Sequence, residues 1–75
     1  MEDLLKRITT DHGILGGKPI IRGMRFRVQD VLEMLANEMK PEEILSDFPY
    51  LEADDIKACL RYAALKLDHP VIYAT

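Results

Sequence analysis

The sequence predicts a mainly α protein, a three-helix bundle of the helix-turn-helix type preceded by a short N-terminal β arm. Three observations carry that prediction. Apolar and polar residues alternate from Arg25 to Val28, after which apolar residues recur at Val28, Val31, Leu32, Leu35 and Met39 with the period of about 3.6 that marks an amphipathic helix. Pro41 precedes Glu42 and Glu43, and Pro49 follows Phe48, which brackets a second, short helix. A third apolar repeat, Ile56, Leu60, Ala63, Ala64 and Leu67, follows a first turn that carries Asp54 and Asp55.

With 75 residues the chain makes one domain, divided into a β arm at about 8–28, a helical body at about 28–67 and an apolar tail at 68–75. A chain of this size buries only about 60% of its unfolded surface. Its stability should fall at roughly 4 to 11 kcal/mol, so a partner subunit would matter. Cys59 is the one cysteine and cannot form an internal disulfide. With no charged-then-apolar leader and no long apolar run, the expectation is a cytoplasmic protein without a membrane span.

Residues 1–7 read as a loose leader or one helical turn, with Leu4 and Leu5 available to dock. Ile8, Thr9 and Thr10 are β-prone, and Asp11, His12 and Gly13 form a turn. The stretch at 16–28, GGKPIIRGMRFRV, organises the rest. Pro19 forces Lys18 toward extended geometry, and the glycines at 16, 17 and 23 supply the positive φ values of tight turns. Strands are expected at 20–21 and 26–28, with Arg25 and Arg27 on one face and Phe26 and Val28 on the other. The first helix should stop near Asn37, a residue that tolerates the left-handed conformation. The second spans about eight residues and contributes Ile44, Leu45 and Phe48 to the core. The third, from about Ala53 to Leu67, forms with the second the pair that would correspond to a DNA-reading unit. Val71, Ile72 and Tyr73 form an apolar tail expected to pack on the body or on a partner.

Charge is segregated along the chain. Residues 1–27 hold six Lys and Arg against three acids, whereas residues 28–55 hold nine acids against Lys40 alone. An anionic partner such as DNA would therefore meet the arm, through Lys18, Arg22, Arg25 and Arg27, with Lys57 and Arg61 on the third helix. The same arginines could equally pair with the acidic helices of their own chain, and spacing does not decide between the two.

No catalytic or metal-binding set emerges, and no cofactor is expected. Gly13 to Lys18 has one residue too few for a nucleotide-binding loop, and Pro19 stands where that loop needs Ser or Thr. His12 and His69 have no ligand-spaced companions. Cys59 reads as a small buried hydrophobe, and the pairs Glu42 and Glu43, Asp54 and Asp55 as charges that complement helix dipoles.

The run GGKPIIRGMRFRV, an apolar helix, then Glu43-Ile44, Pro49 and Leu51, Asp55-Ile56 and a helix ending in RYAA, resembles the small VapB-type antitoxin family, also known as the domain-of-unknown-function 433 family. The likeness covers residues 8–64 or so. It implies a homeodomain-like body, a homodimer, and the antitoxin half of a prokaryotic pair whose toxin is a PIN-type ribonuclease, with operator DNA as a further partner. A stand-alone helix-turn-helix transcriptional regulator is the alternative. The sequence departs from the family pattern at four places: Met24 replaces Thr, Glu38 replaces Gly, and Lys40 and Glu52 replace Ser or Thr helix caps. Lost caps of that kind cost about 0.5 to 2 kcal/mol each. Carboxylates at Asp54 and Asp55 would also face phosphates at the start of a DNA-reading helix.

Overall fold

Both strands of the arm's first half form, but the arm is not a free ribbon. In the computed structural model, which describes residues 3–67, β1 (Ile8–Thr9) and β2 (Ile20–Ile21) are antiparallel, with Ile8 opposite Ile21 and Thr9 opposite Ile20. The strand expected at 26–28 is reduced to one bridge between Ile20 and Arg27. It is supported by hydrogen bonds from the Ile21 N–H to the Phe26 carbonyl and from the Val28 N–H to the Pro19 carbonyl, each 3.0 Å. Thus β2 has a neighbour on either edge, and both its isoleucines are fully buried. Burial on both faces outweighs the alternation expected of a half-exposed strand.

The turn after β2 places Arg22 (φ 45°) and Gly23 (φ 71°) both in the left-handed region, with the Met24 N–H donating to the Ile21 carbonyl at 2.8 Å. Two left-handed central residues mark the primed hairpin turns, whose twist matches that of strands. The hydroxyl that Met24 lacks is supplied from across the sheet, since the Gly23 N–H donates to Thr9 Oγ1 at 3.0 Å. Ahead of β1, residues Leu4–Arg7 form a 3-10 turn, opened by Asp3 accepting from the Leu5 N–H at 3.0 Å. The Asp11 turn closes as expected, with its carboxylate accepting from the Gly13 N–H at 2.8 Å.

Three helices follow, α1 (Val28–Ala36), α2 (Pro41–Asp47) and α3 (Ala53–Lys66). All three start by the same device. The third helical residue, Asp30, Glu43 or Asp55, accepts from the N–H of the residue that precedes the helix, at 3.0, 2.8 and 2.8 Å respectively. This is the carboxylate half of a capping box, and it offsets the loss of Ser or Thr at Lys40 and Glu52. Helix α1 ends at the Asn37-Glu38 step, near where it was expected to stop, but the left-handed residue is Glu38 (φ 68°) and not Asn37 (φ −91°). The Glu38 N–H donates to Leu35 and the Met39 N–H to Met34, both at 3.0 Å, which completes a Schellman motif with glutamate where glycine is usual. Methionine at both ends of the longer bond, Met34 and Met39, packs against the core.

That core gathers Ile21 and Phe26 from the arm, Val28 and Val31 from α1, Ile44 from α2, and Leu51, Ile56 and Cys59 from the last connection and α3. Fully burying an aliphatic side chain of this size contributes about 1.5 to 3 kcal/mol. Phe26 and Val28 are buried while Arg25 is exposed, as the alternation requires. Helix α3 departs from expectation. Ile56 is buried and Ala63 half-buried, but Leu60, Ala64 and Leu67 face outward, and Asp55, Ala58 and Cys59 are fully buried in their place. The helix carries two overlapping apolar registers, and docking against the N-terminal turn and β1 selects the one with smaller side chains. Val71, Ile72 and Tyr73 lie outside the described residues, as does His69. No helix among the described residues is long and apolar enough to cross a membrane.

Candidate functional site

The position of α3 is fixed by one carboxylate. Asp55 is completely buried, yet each of its oxygens is engaged. Arg22 binds it in a fork, Nε to Oδ1 at 3.0 Å and Nη2 to Oδ2 at 2.8 Å, and Arg7 Nη1 donates to Oδ1 at 2.9 Å. The Glu52 N–H donates to Oδ2 at 2.8 Å. Arg22 Nη2 also donates to the Tyr50 carbonyl at 2.9 Å, and Arg7 Nη1 to Glu52 Oε1 at 2.7 Å, so both connections that flank the strands are tied to the start of α3. Burial, the largest single influence, pushes the Asp55 carboxyl up; the hydrogen bonds from Arg22, Glu52 and Arg7 and the nearby positive charge outweigh it, and the group is held below the ordinary aspartate value. The same pairing holds Arg22 above the ordinary arginine value.

The arginines of the arm therefore have different fates. Arg22 is committed to Asp55, and Arg27 is committed to Asp30, with Nη2 to Oδ1 at 2.7 Å. The hydrogen bond from Arg27 holds Asp30 below its ordinary value. Of the two fates open to these side chains, Arg22 and Arg27 take the intramolecular one, which removes them as readily available anion contacts. Arg25, Lys18, Lys57 and Arg61 are exposed and make no ion pair among the described residues. The carboxylate feared at a phosphate-facing position, Asp55, is inside the protein, although Glu52 and Asp54 still border the first turn of α3.

What α3 presents outward is an apolar stripe with a basic edge. Lys57, Leu60, Arg61, Ala64 and Leu67 follow one another at the three- and four-residue steps of a single helix face, and all are exposed, Leu60 by 50% and Leu67 by 71%. Beside it, Leu5, Ile8, Tyr62 and Leu65 line a cleft of about 290 Å³ between the helix and the N-terminal segment, and Lys66 Nζ lies 5.4 Å from the Tyr62 ring centre. A separate open groove of about 500 Å³ runs between the arm, α1 and the connection after α2. Its floor includes Phe26, Phe48 and Tyr50, whose rings meet edge to face at centroid separations of 5.0 to 6.3 Å.

No group of three or more His, Cys, Asp or Glu residues capable of holding a metal ion occurs among the described residues. Cys59 is fully buried, and burial, assisted by the charge of Asp55, pushes its thiol up to about 12. It is therefore no nucleophile at neutral pH.

The sequence profile of the family described as "Protein of unknown function (DUF433)" matches residues 8–63, three-quarters of the chain and all of the core elements just described. The chain belongs to the DUF433 family. Arg22 and Asp55 fall inside the matched span, and Arg7 lies one residue before it. The DUF433 chain is also similar to the uncharacterized protein y4eO of Sinorhizobium fredii (strain NBRC 101917 / NGR234), with 38% identity over 56 residues, 75% of this chain and 25% of that one. The chain thus spans about a quarter of the length of that relative. No solved structure matches it.

Asp55 is the structural anchor that sequence reasoning missed as such. As a carboxylate in a first helical turn it is explained by the helix dipole alone, and its arginine partners stand 33 and 48 residues away. One signal was available: Asp55 falls in register with Cys59 and Tyr62, on the side of α3 opposite its long leucines.

Proposed function

We propose that the chain is a non-catalytic, antitoxin-like module that binds and neutralises a PIN-type ribonuclease, and that it does so as a homodimer. The observation that supports this reading is the outward face of α3, on which Leu60, Ala64 and Leu67 are exposed beside Lys57 and Arg61. A helix that reads DNA presents polar side chains there. One that docks on a protein presents apolar anchors with a charged edge. The sequence resemblance to VapB-type antitoxins supplies the class of partner. Co-expression with the product of the adjacent open reading frame, followed by an RNA-cleavage assay with and without this chain, tests it. A stable complex that suppresses cleavage, lost in the Leu60→Lys and Leu67→Lys double variant, is the expected result. Absence of both complex and inhibition removes the proposal.

A second reading, a helix-turn-helix regulator that binds operator DNA, draws support from Lys18, Arg25, Lys57 and Arg61, which are exposed and make no ion pair among the described residues. A gel shift with the upstream region at about 0.15 M salt should then give a band that weakens uniformly, whatever the sequence, when Arg25 is changed to Ala.

A further inference from the structure

We infer that the groove between the arm, α1 and the α2–α3 connection is a docking site for a linear segment of a protein partner in which an apolar or aromatic residue is followed by a basic one. This site shares no residue with the outer face of α3, so it stands whether or not the antitoxin reading does. The floor supplies the apolar half. Phe26 and Phe48 meet almost perpendicularly, at 80°, and Tyr50, a residue 55% exposed, joins them on a lining that also includes Met34. Aromatic surface of this kind takes an apolar side chain or a guanidinium. A groove of about 500 Å³ lies within the range of about 300 to 1,000 Å³ typical of ligand clefts.

Charge selects the other half of the occupant. The α1 wall carries Asp30 and Glu33. Asp30 is occupied by Arg27 at 2.7 Å, whereas the Glu33 carboxylate makes no hydrogen bond or ion pair among the described residues and only adds its charge to the surroundings of Arg27. Of the acids in residues 28–55, Asp30, Glu52, Asp54 and Asp55 lie against arginines, which leaves Glu33, Glu38, Glu42, Glu43 and Asp47 against Lys40 on α1, α2 and their connection, a field that attracts cations and repels phosphates. Arg25 is the one cation on the lining, and it too makes no ion pair among the described residues. Its planar donors fit the backbone carbonyls of an extended segment, which would be held on one side by Arg25 and on the other by its own basic residue against Glu33. A nucleic acid would meet the same rings but the wrong field.

The test uses the full chain, with two tetrapeptides and a thymidine oligonucleotide as probes, followed by amide NMR titration. Acetyl-Leu-Phe-Arg-Arg-amide should shift the resonances of Met34, Phe48 and Tyr50 and leave those of α3 unmoved. Acetyl-Leu-Phe-Glu-Glu-amide should bind at least about tenfold more weakly, since two opposite charges are replaced by two like ones. Glu33→Gln, an exposed helix position, should weaken the basic peptide by about threefold, the size of an exposed ion pair. Tyr50→Ala, whose backbone carbonyl still accepts from Arg22, should remove binding while the rest of the amide spectrum is unchanged. Equal or tighter binding of the acidic peptide, the same shifts with the oligonucleotide, or no shift with any of the three overturns the inference.

Discussion

The two sides of α3 invert the usual placement of charge and apolar surface. The inner side buries an ionised aspartate among two arginines, and the outer side exposes three aliphatic residues to water. On the inner side the charge is tolerable only because every acceptor position is filled, by a bidentate arginine, a second arginine and a backbone N–H. On the outer side Leu60 and Leu67 are left exposed by the described residues. The difference separates two surfaces of one helix: the inner face holds the fold together, and the outer face contributes little to it. Substitutions should sort the same way.

The largest effect is expected where the inner side is broken. Asp55→Ala would leave two arginines and the Glu52 N–H without their shared acceptor, at a cost of about 3 to 5 kcal/mol. Against a total of roughly 4 to 11 kcal/mol that is enough to unfold much of the population, which urea denaturation followed by circular dichroism measures. The same bond predicts a pH dependence. Asp55 and Asp30 both have lowered folded-state values, so their stabilisation is present above the unfolded aspartate value of about 3.9 and is lost as pH falls through the folded values. The urea midpoint should hold steady from pH 7 to about 5 and fall below about 4, with a smaller fall in Asp55→Asn.

A pair of arginines sharpens the contrast further. Arg22→Ala removes charged hydrogen bonds to a buried carboxylate and should cost about 1.5 to 3 kcal/mol, whereas Arg25→Ala, three residues on, should stay within about 0.5 kcal/mol. Equal losses in the two variants would show that Arg22 is less committed than its distances indicate. Next in size, Leu60→Lys should leave the urea midpoint within about 0.5 kcal/mol of the parent, because that side chain has little to lose on the exposed face. A large destabilisation would mean that the outer face is covered. The smallest expected effect is a gain: Glu38→Gly relieves a left-handed glutamate, and after the extra freedom of the unfolded chain is set against it, about 0.5 kcal/mol of stabilisation should remain.

Much of this arrangement was legible in advance. Pro41, Pro49 and the helical spacing from Val28 located all three helices, because each signal is local and the physics behind it acts within a few residues. Gly23 and Pro19 located the arm's turn and its entry for the same reason. What escaped was non-local. Asp55 and Glu43 look alike in sequence, each the third residue of a helix after an acid, and only the docking of Arg7 and Arg22 makes one of them the centre of the molecule. Leu60 and Leu67 misled for the converse reason: helical period identifies an apolar face without saying which of two overlapping faces a neighbour will cover. Of the arginines, Arg27 has a carboxylate three residues on, Asp30, at the start of the same helix, whereas nothing local distinguishes Arg22 from Arg25, and only the docking of α3 gives Arg22 its partner.

The forked contact at Asp55 also has a consequence for how the molecule comes apart. Short helices with few neighbours normally fray one at a time, but here the segment before the first strand, the hairpin turn and the last helix all end on one side chain, so releasing any of them strands a buried charge. Opening should therefore be all or nothing, with slow-exchanging amides at Ile8, Ile21 and Cys59 sharing a single free energy of exposure, and an 8.6 kDa chain melting as one indivisible unit.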